Sequence, residues 1–139
     1  MKLSTRARYG LRVCFLLGLS EEVMPLSALT RQTGLSEKYL EQLLAMLKKA
    51  GIVAAKRGSY GGYMLTKPAE EITVDQMLTA LEDNFEITDC IKGVCSDEYC
   101  PNRGLFTKLY KDISGLLTST TLQDFINDSM CKPRGAIGE

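Results

Sequence analysis

The hydrophobic pattern changes period once between residues 25 and 65, and that change constrains the fold more than any other feature of the chain. Up to Ala50 the apolar residues recur at helical spacing, and from Ile52 they come in short runs separated by glycines. Pro25 and Ser27 open a short helix, about residues 26–32, which stops at Thr33-Gly34. Ser36 can N-cap the next helix, about 37–50, with Leu40, Leu43, Leu44 and Leu47 on its buried side. Lys48 and Lys49 fall in its last turn, where cations suit the helix dipole, and Gly51 ends it. Ile52-Val53-Ala54-Ala55 and Tyr63-Met64-Leu65 then read as strands. Between them lies a glycine-rich turn with two cations, Lys56-Arg57-Gly58-Ser59-Tyr60-Gly61-Gly62.

Helix, tight turn, helix and hairpin, in that order, make a winged helix-turn-helix. The remaining segments build around it. Residues 5–19 read as a largely buried helix, with Ala7, Leu11, Cys14, Phe15 and Gly18 along one face and Val13, Leu16 and Leu17 widening it. Thr73 can cap a helix over about 74–82, with Val74, Met77, Leu78 and Leu81 inward. A long helix follows over about 102–118, where Phe106, Leu109, Ile113 and Leu116 step by three, four and three. Such a seam suits an antiparallel or parallel helix partner. A last short helix, about 121–130, carries Leu122, Phe125 and Ile126. The expected fold is mainly α with a small β-hairpin wing. A winged helix-turn-helix domain spans 1–82, a cysteine-containing sensor loop 83–101, the dimerisation helix and C-terminal helix 102–130, and a flexible tail 131–139.

Charge points to the partner. The formal net charge is zero, yet residues 1–67 carry eleven Lys/Arg against four Asp/Glu, while residues 68–139 carry six against thirteen. A positive half suits a polyanion such as DNA, although charge alone also serves to solvate a surface. On the third helix the outward candidates are Ser36, Glu37, Lys38, Glu41, Gln42 and Ala45. Gln42 can pair with adenine, Lys38 can reach guanine or phosphate, and Glu41 can accept from cytosine or remain a solvated acid. Arg57 at the hairpin tip fits insertion into the minor groove. Arg6, Arg8 and Arg12 can hold phosphates. Tyr39 is either core or a phosphate contact, and Gly61 and Gly62 serve either the turn or a close approach to DNA.

The chain has no histidine, which removes His-based catalytic dyads, triads and metal sites, and no phosphate-binding glycine loop precedes a helix. An enzyme is not expected. The opening Met1-Lys2-Leu3-Ser4-Thr5-Arg6 does not read as a secretory signal, and the longest apolar run is far short of a membrane span, so the expected location is cytoplasmic. Of five cysteines, Cys14 lies on the buried first helix and Cys131 near the end, whereas Cys90, Cys95 and Cys100 repeat every five residues in the one long irregular segment. An odd count in a cytosolic chain argues against structural disulfides. Three thiolates in one loop suit an iron–sulfur cluster, zinc or copper(I), with thiol redox chemistry as the alternative.

Taken together, these motifs resemble one family. Lys2-Leu3-Ser4 with Tyr9-Gly10-Leu11-Arg12, then Ser36-x-x-Tyr39-Leu40-Glu41-Gln42-Leu43, the wing Arg57-Gly58-x-x-Gly61-Gly62-Tyr63 and the three-cysteine loop occur in the order seen in IscR-type winged-helix transcription regulators. That bacterial group includes the nitric-oxide sensor NsrR, the iron regulator RirA and the cysteine-metabolism regulator CymR. The resemblance covers about residues 1–130. It implies a homodimer formed through the long helix, with the seam of Phe106, Leu109, Ile113 and Leu116 as its interface, binding near-palindromic double-stranded promoter DNA. The arginine matched by Arg57 enters the minor groove, and the positions matched by Ser36, Lys38, Glu41 and Gln42 face the major groove. The glutamate matched by Glu41 tunes which promoters the cluster-free form accepts. The loop implies a cluster, [2Fe–2S] or [4Fe–4S], on Cys90, Cys95 and Cys100. The family's fourth ligands do not carry over: Arg103 stands where IscR has a histidine, and Arg8 where NsrR-like proteins use a carboxylate. Asp89, Asp97 and Glu98 are the nearest alternatives. A cluster-free regulator controlled by thiol oxidation or a partner protein, as in CymR-like members, is the second reading.

Overall fold

A computed structural model describes residues 3–81 and 100–129. The first helix, α1, runs Thr5–Leu19, and Ser4 caps it by accepting the Ala7 N–H at 3.0 Å. Its buried face runs through Ala7, Gly10, Cys14 and Leu17, with Val13 and Leu16 beside them. That face is rotated from the expected one, since Leu11, Phe15 and Gly18 are only half-buried. The reason is that α1 is the hub of the fold and is covered from several sides rather than along one stripe.

Helix α2 spans Leu26–Thr33 and α3 spans Glu37–Lys49, joined through Gly34 in the left-handed conformation at φ 75°. Strands β1 (Val53–Lys56) and β2 (Gly62–Leu65) pair antiparallel, from Val53 opposite Leu65 to Lys56 opposite Gly62. The hairpin gains a further rung that the sequence did not suggest: Met24 and Tyr63 exchange backbone hydrogen bonds of 2.9 and 2.8 Å. There Gly62 lies so close to the backbone of Met24 and Pro25 that any Cβ would overlap it. The wing is thereby fastened to the start of α2, and Gly62 serves that approach.

A short 3₁₀ turn at Ala69–Glu71 leads to α4, Val74–Ala80, where Thr73 and Gln76 form a reciprocal capping box. The end of α4 is clamped to α1. The Arg6 guanidinium donates to the Leu81 carbonyl at 2.8 Å, and Gly10 leaves the notch that the Leu81 side chain fills. Helix α5, Arg103–Ser119, packs along α4 and buries none of its residues. Helix α6, Leu122–Asn127, returns to the core. The Leu122 N–H donates to the Ile72 carbonyl at 2.7 Å and the Val74 N–H to the Thr120 carbonyl at 2.9 Å. Leu122 is fully buried, Ile126 faces Gly18, and the Phe125 ring lies 5.1 Å from that of Phe15. The C-terminal helix, grouped with the dimer helix on sequence, packs into the core built by residues 3–81.

Candidate nucleic-acid interface

The turn between α2 and α3 is held by a buried hydroxyl. Thr33 donates to the Leu29 carbonyl at 2.7 Å and accepts the Leu35 N–H at 3.2 Å, so Gly34 can reverse the chain without leaving a polar group unmet. Sequence reasoning took Thr33 only as part of a stop signal. Ser36 accepts the Tyr39 N–H at 3.2 Å, which fixes where α3 begins. Four leucines, Leu40, Leu43, Leu44 and Leu47, are buried, and this sets the rotation of the helix. Ser36, Glu37, Lys38, Glu41, Gln42 and Ala45 therefore all face outward and are exposed. The side chains expected to meet a major groove thus share one surface, at the capped end of a helix whose N–H groups favour an anion. Tyr39 is half-buried at the rim of the core, edge-on to Tyr9 with ring centres 6.2 Å apart. This arrangement gives the Tyr39 ring a packing contact.

At the wing, the Gly61 N–H donates to the Gly58 carbonyl at 3.0 Å, closing a turn with Ser59 and Tyr60 at its apex. Gly58 sits at φ 110°, where a side chain is strained, and Gly61 has no room for a Cβ beside the Lys56 and Gly58 carbonyls. The turn itself therefore requires a glycine at Gly61. Arg57 is exposed next to it, and Tyr60 is 91% exposed, the most open of the large hydrophobic side chains described. On α1, Arg8 is exposed and donates to Thr5 Oγ1 at 3.3 Å, while Arg12 is half-buried. Arg6, considered with them as a phosphate contact, has its Nε committed to Leu81.

The other expected sites are reached only in part. Cys14 is fully buried and its thiol is pushed up to about 12 by loss of solvent, as befits an inert core residue. Cys100 is half-buried just ahead of α5, where the Arg103 N–H reaches its carbonyl at 3.4 Å. Cys90 and Cys95, the acids Asp89, Asp97 and Glu98, and Cys131 lie outside the described residues. Along α5, Leu109 is 39% and Leu116 64% exposed, whereas Phe106 and Ile113 are half-buried. Leu105, 55% exposed, joins the outward stripe. Among the described residues no helix is long and apolar enough to cross a membrane.

Comparison with known proteins agrees with this geometry. Residues 3–128 match the model of the family described as Rrf2, iron-dependent transcriptional regulator. The HTH-type transcriptional regulator IscR of Serratia proteamaculans is 35% identical over 132 residues, which cover 92% of this chain and 80% of that protein. The solved structure of CymR, the global cysteine regulator of B. subtilis, superposes with a TM-score of 0.81 at 34% identity, over 93% of this chain and 98% of that one. The oxidised form of Staphylococcus aureus CymR superposes with a TM-score of 0.74 at 30% identity, over 95% and 100% of the two chains.

Proposed function

The chain belongs to the Rrf2 family of transcriptional regulators, and from that membership we propose a homodimer that binds promoter DNA and senses its signal through Cys90, Cys95 and Cys100. DNA binding and transcription regulation, rather than catalysis, go with the family. The observation that carries the residue-level reading is the outward row on α3 combined with the tethered wing. Lys38, Glu41 and Gln42 read base edges in the major groove, with Ser36 at the helix start. Arg57 enters the adjoining minor groove, and Arg8 holds a phosphate. Tyr39 supports the row from behind, through Tyr9. The exposed stripe of α5, with Phe106 and Ile113 at its edge, closes the dimer and so fixes the spacing of two reading heads.

Three thiolates without histidine form a soft donor set that fits an iron–sulfur cluster. When bound, such a cluster supplies a redox- and ligand-sensitive centre. The chain's own contribution would be Cys90, Cys95 and Cys100 as ligands, with Arg6 and Gly10 holding Leu81, the last described residue before the cysteine segment, against α1. Because α1 also carries Tyr9, packed contacts run from Leu81 through α1 to Tyr39 on the recognition helix. The thiol-oxidation reading stands second, favoured by the likeness to a CymR in its oxidised form.

One experiment separates these readings. The protein is purified anaerobically, its ultraviolet–visible spectrum and iron and sulfide content are measured, and binding to a promoter duplex is followed across a salt series. Visible charge-transfer bands that vanish in Cys90→Ser, Cys95→Ser and Cys100→Ser, but persist in Cys14→Ser, support the cluster. A colourless protein whose DNA affinity changes on thiol oxidation favours the second reading. In either case Arg57→Ala weakens specific binding by about 1–3 kcal/mol, and unchanged affinity overturns the wing assignment.

A further inference from the structure

The wing carries one side chain that neither its own fold nor the reading above employs. Tyr60 is 91% exposed at the apex of the Gly58–Gly61 turn, and no hydrogen bond or ring contact reaches it among the described residues. The turn beneath it is tied from both sides: the Gly61 N–H donates to the Gly58 carbonyl, and β2 is fastened to Met24. A phenol held out on such a support loses little freedom on binding, since only two side-chain torsions remain to be fixed. The charge of the hairpin's own segment selects the partner, with Glu21 and Glu22 the acids that the packing brings beside Lys56 and Lys67. No Asp or Glu occurs between Glu41 and Glu70, whereas Lys48, Lys49, Lys56, Arg57 and Lys67 all fall in that interval. A hairpin whose own charged side chains, Lys56 and Arg57, precede an exposed aromatic tip fits a polyanion with apolar walls, and the sugar–phosphate edge of a DNA minor groove is one.

We propose that Tyr60 is a DNA-contacting residue, packing its ring on the deoxyribose wall of the minor groove entered by Arg57 and donating its hydroxyl to a phosphate. This rests on the DNA-binding reading and adds a contact that is neither cationic nor base-specific. Its signature therefore differs from that of Arg57. Loss of a cation changes the salt dependence of binding, whereas loss of a ring lowers affinity and leaves the salt slope alone.

The test uses the full chain and the duplex that the wild-type protein enriches from a random-sequence pool. Binding of wild type, Tyr60→Ala, Tyr60→Phe and Arg57→Ala is measured by fluorescence anisotropy over a range of salt. Removing roughly 50 Å² of aromatic contact corresponds to about tenfold in affinity, so Tyr60→Ala binds about tenfold more weakly at every salt concentration. Tyr60→Phe loses only about two- to threefold, the share of one hydroxyl. Arg57→Ala alone lowers the salt slope, by about one. In wild-type protein the bound duplex protects Tyr60 from nitration by tetranitromethane, read by mass spectrometry, and this readout does not depend on any variant folding. Wild-type affinity in Tyr60→Ala, or equal nitration with and without duplex, overturns the proposal. If Arg57→Ala is weakened in that same experiment, the DNA-binding reading survives. If no duplex is enriched, both fall together.

Discussion

Two parts of this molecule obey the same hydrophobic periodicity and end in opposite circumstances. On α3 the leucines at 40, 43, 44 and 47 are fully or almost fully buried. On α5 the comparable seam leaves Leu105, Leu109 and Leu116 open, and none of the seventeen residues from Arg103 to Ser119 is buried. The reading head supplies its own partner surfaces: α1 runs through it and α6 returns to seal it. Among the described elements, helix α5 packs chiefly on α4. A helix of about 25 Å is marginal in water without a packed face, so its apolar stripe has to be covered by something. Apolar spacing identifies a face that needs covering, and whether the cover lies within the chain or on a second copy is a separate question.

The comparison breaks most completely at α5. Leu109→Glu with Ile113→Glu places carboxylates in the proposed interface. Each apolar side chain lost from burial costs about 1.5–3 kcal/mol, and a two-fold interface counts every loss twice. The double variant should elute as a monomer by light scattering, while its reading head still melts cooperatively. A double variant that stays dimeric would move the interface off this helix.

Next in size is the matching change inside the head. Leu43→Ala empties a fully buried site on α3 and should cost about 2–5 kcal/mol in urea unfolding, without altering the oligomeric state of the folded fraction. A loss below about 1 kcal/mol would mean that the head collapses around the gap, so that α3 is less fixed than its four leucines indicate.

Much of the head was readable because its signals are local. Ser36 and Thr73 cap where a short oxygen-bearing side chain before an apolar run says they should, and Gly34 turns where a glycine follows the last periodic residue. The outward row on α3 followed from the four leucines alone. What escaped was long-range. Nothing in the neighbourhood of Met24 announces a bridge to Tyr63, and nothing near Arg6 announces a carbonyl seventy-five residues away. The rotation of the α1 face is hidden from the sequence for the same reason: Gly10 is buried because Leu81 arrives there, and a glycine carries no hydrophobic signal of its own. Tyr60 lay in a turn read for its glycines and cations, and its exposure became visible only once the hairpin was closed.

The smallest effect separates the two regions by their thiols. Cys14, in the head, is fully buried, and loss of solvent raises its thiol from 9.0 to about 12; Cys100, beside α5, is half-buried. The folded state therefore keeps a proton on Cys14 that the unfolded chain releases above pH 9. Where the unfolded state binds fewer protons, stability falls as pH rises. This contribution is thus fully present below pH 9 and is lost between pH 9 and about 12. It amounts to about 1.4 kcal/mol by roughly pH 10. Urea unfolding at neutral and alkaline pH should show this loss in the wild type. Cys14→Ala should start from lower stability, because of its cavity, yet decline with pH less steeply by that amount. Parallel declines would mean that water reaches Cys14 in the native state. An aromatic disulfide reagent at neutral pH, applied to the cluster-free protein, supplies the cross-check: Cys100 should react in the folded protein, and Cys14 only at the rate of unfolding.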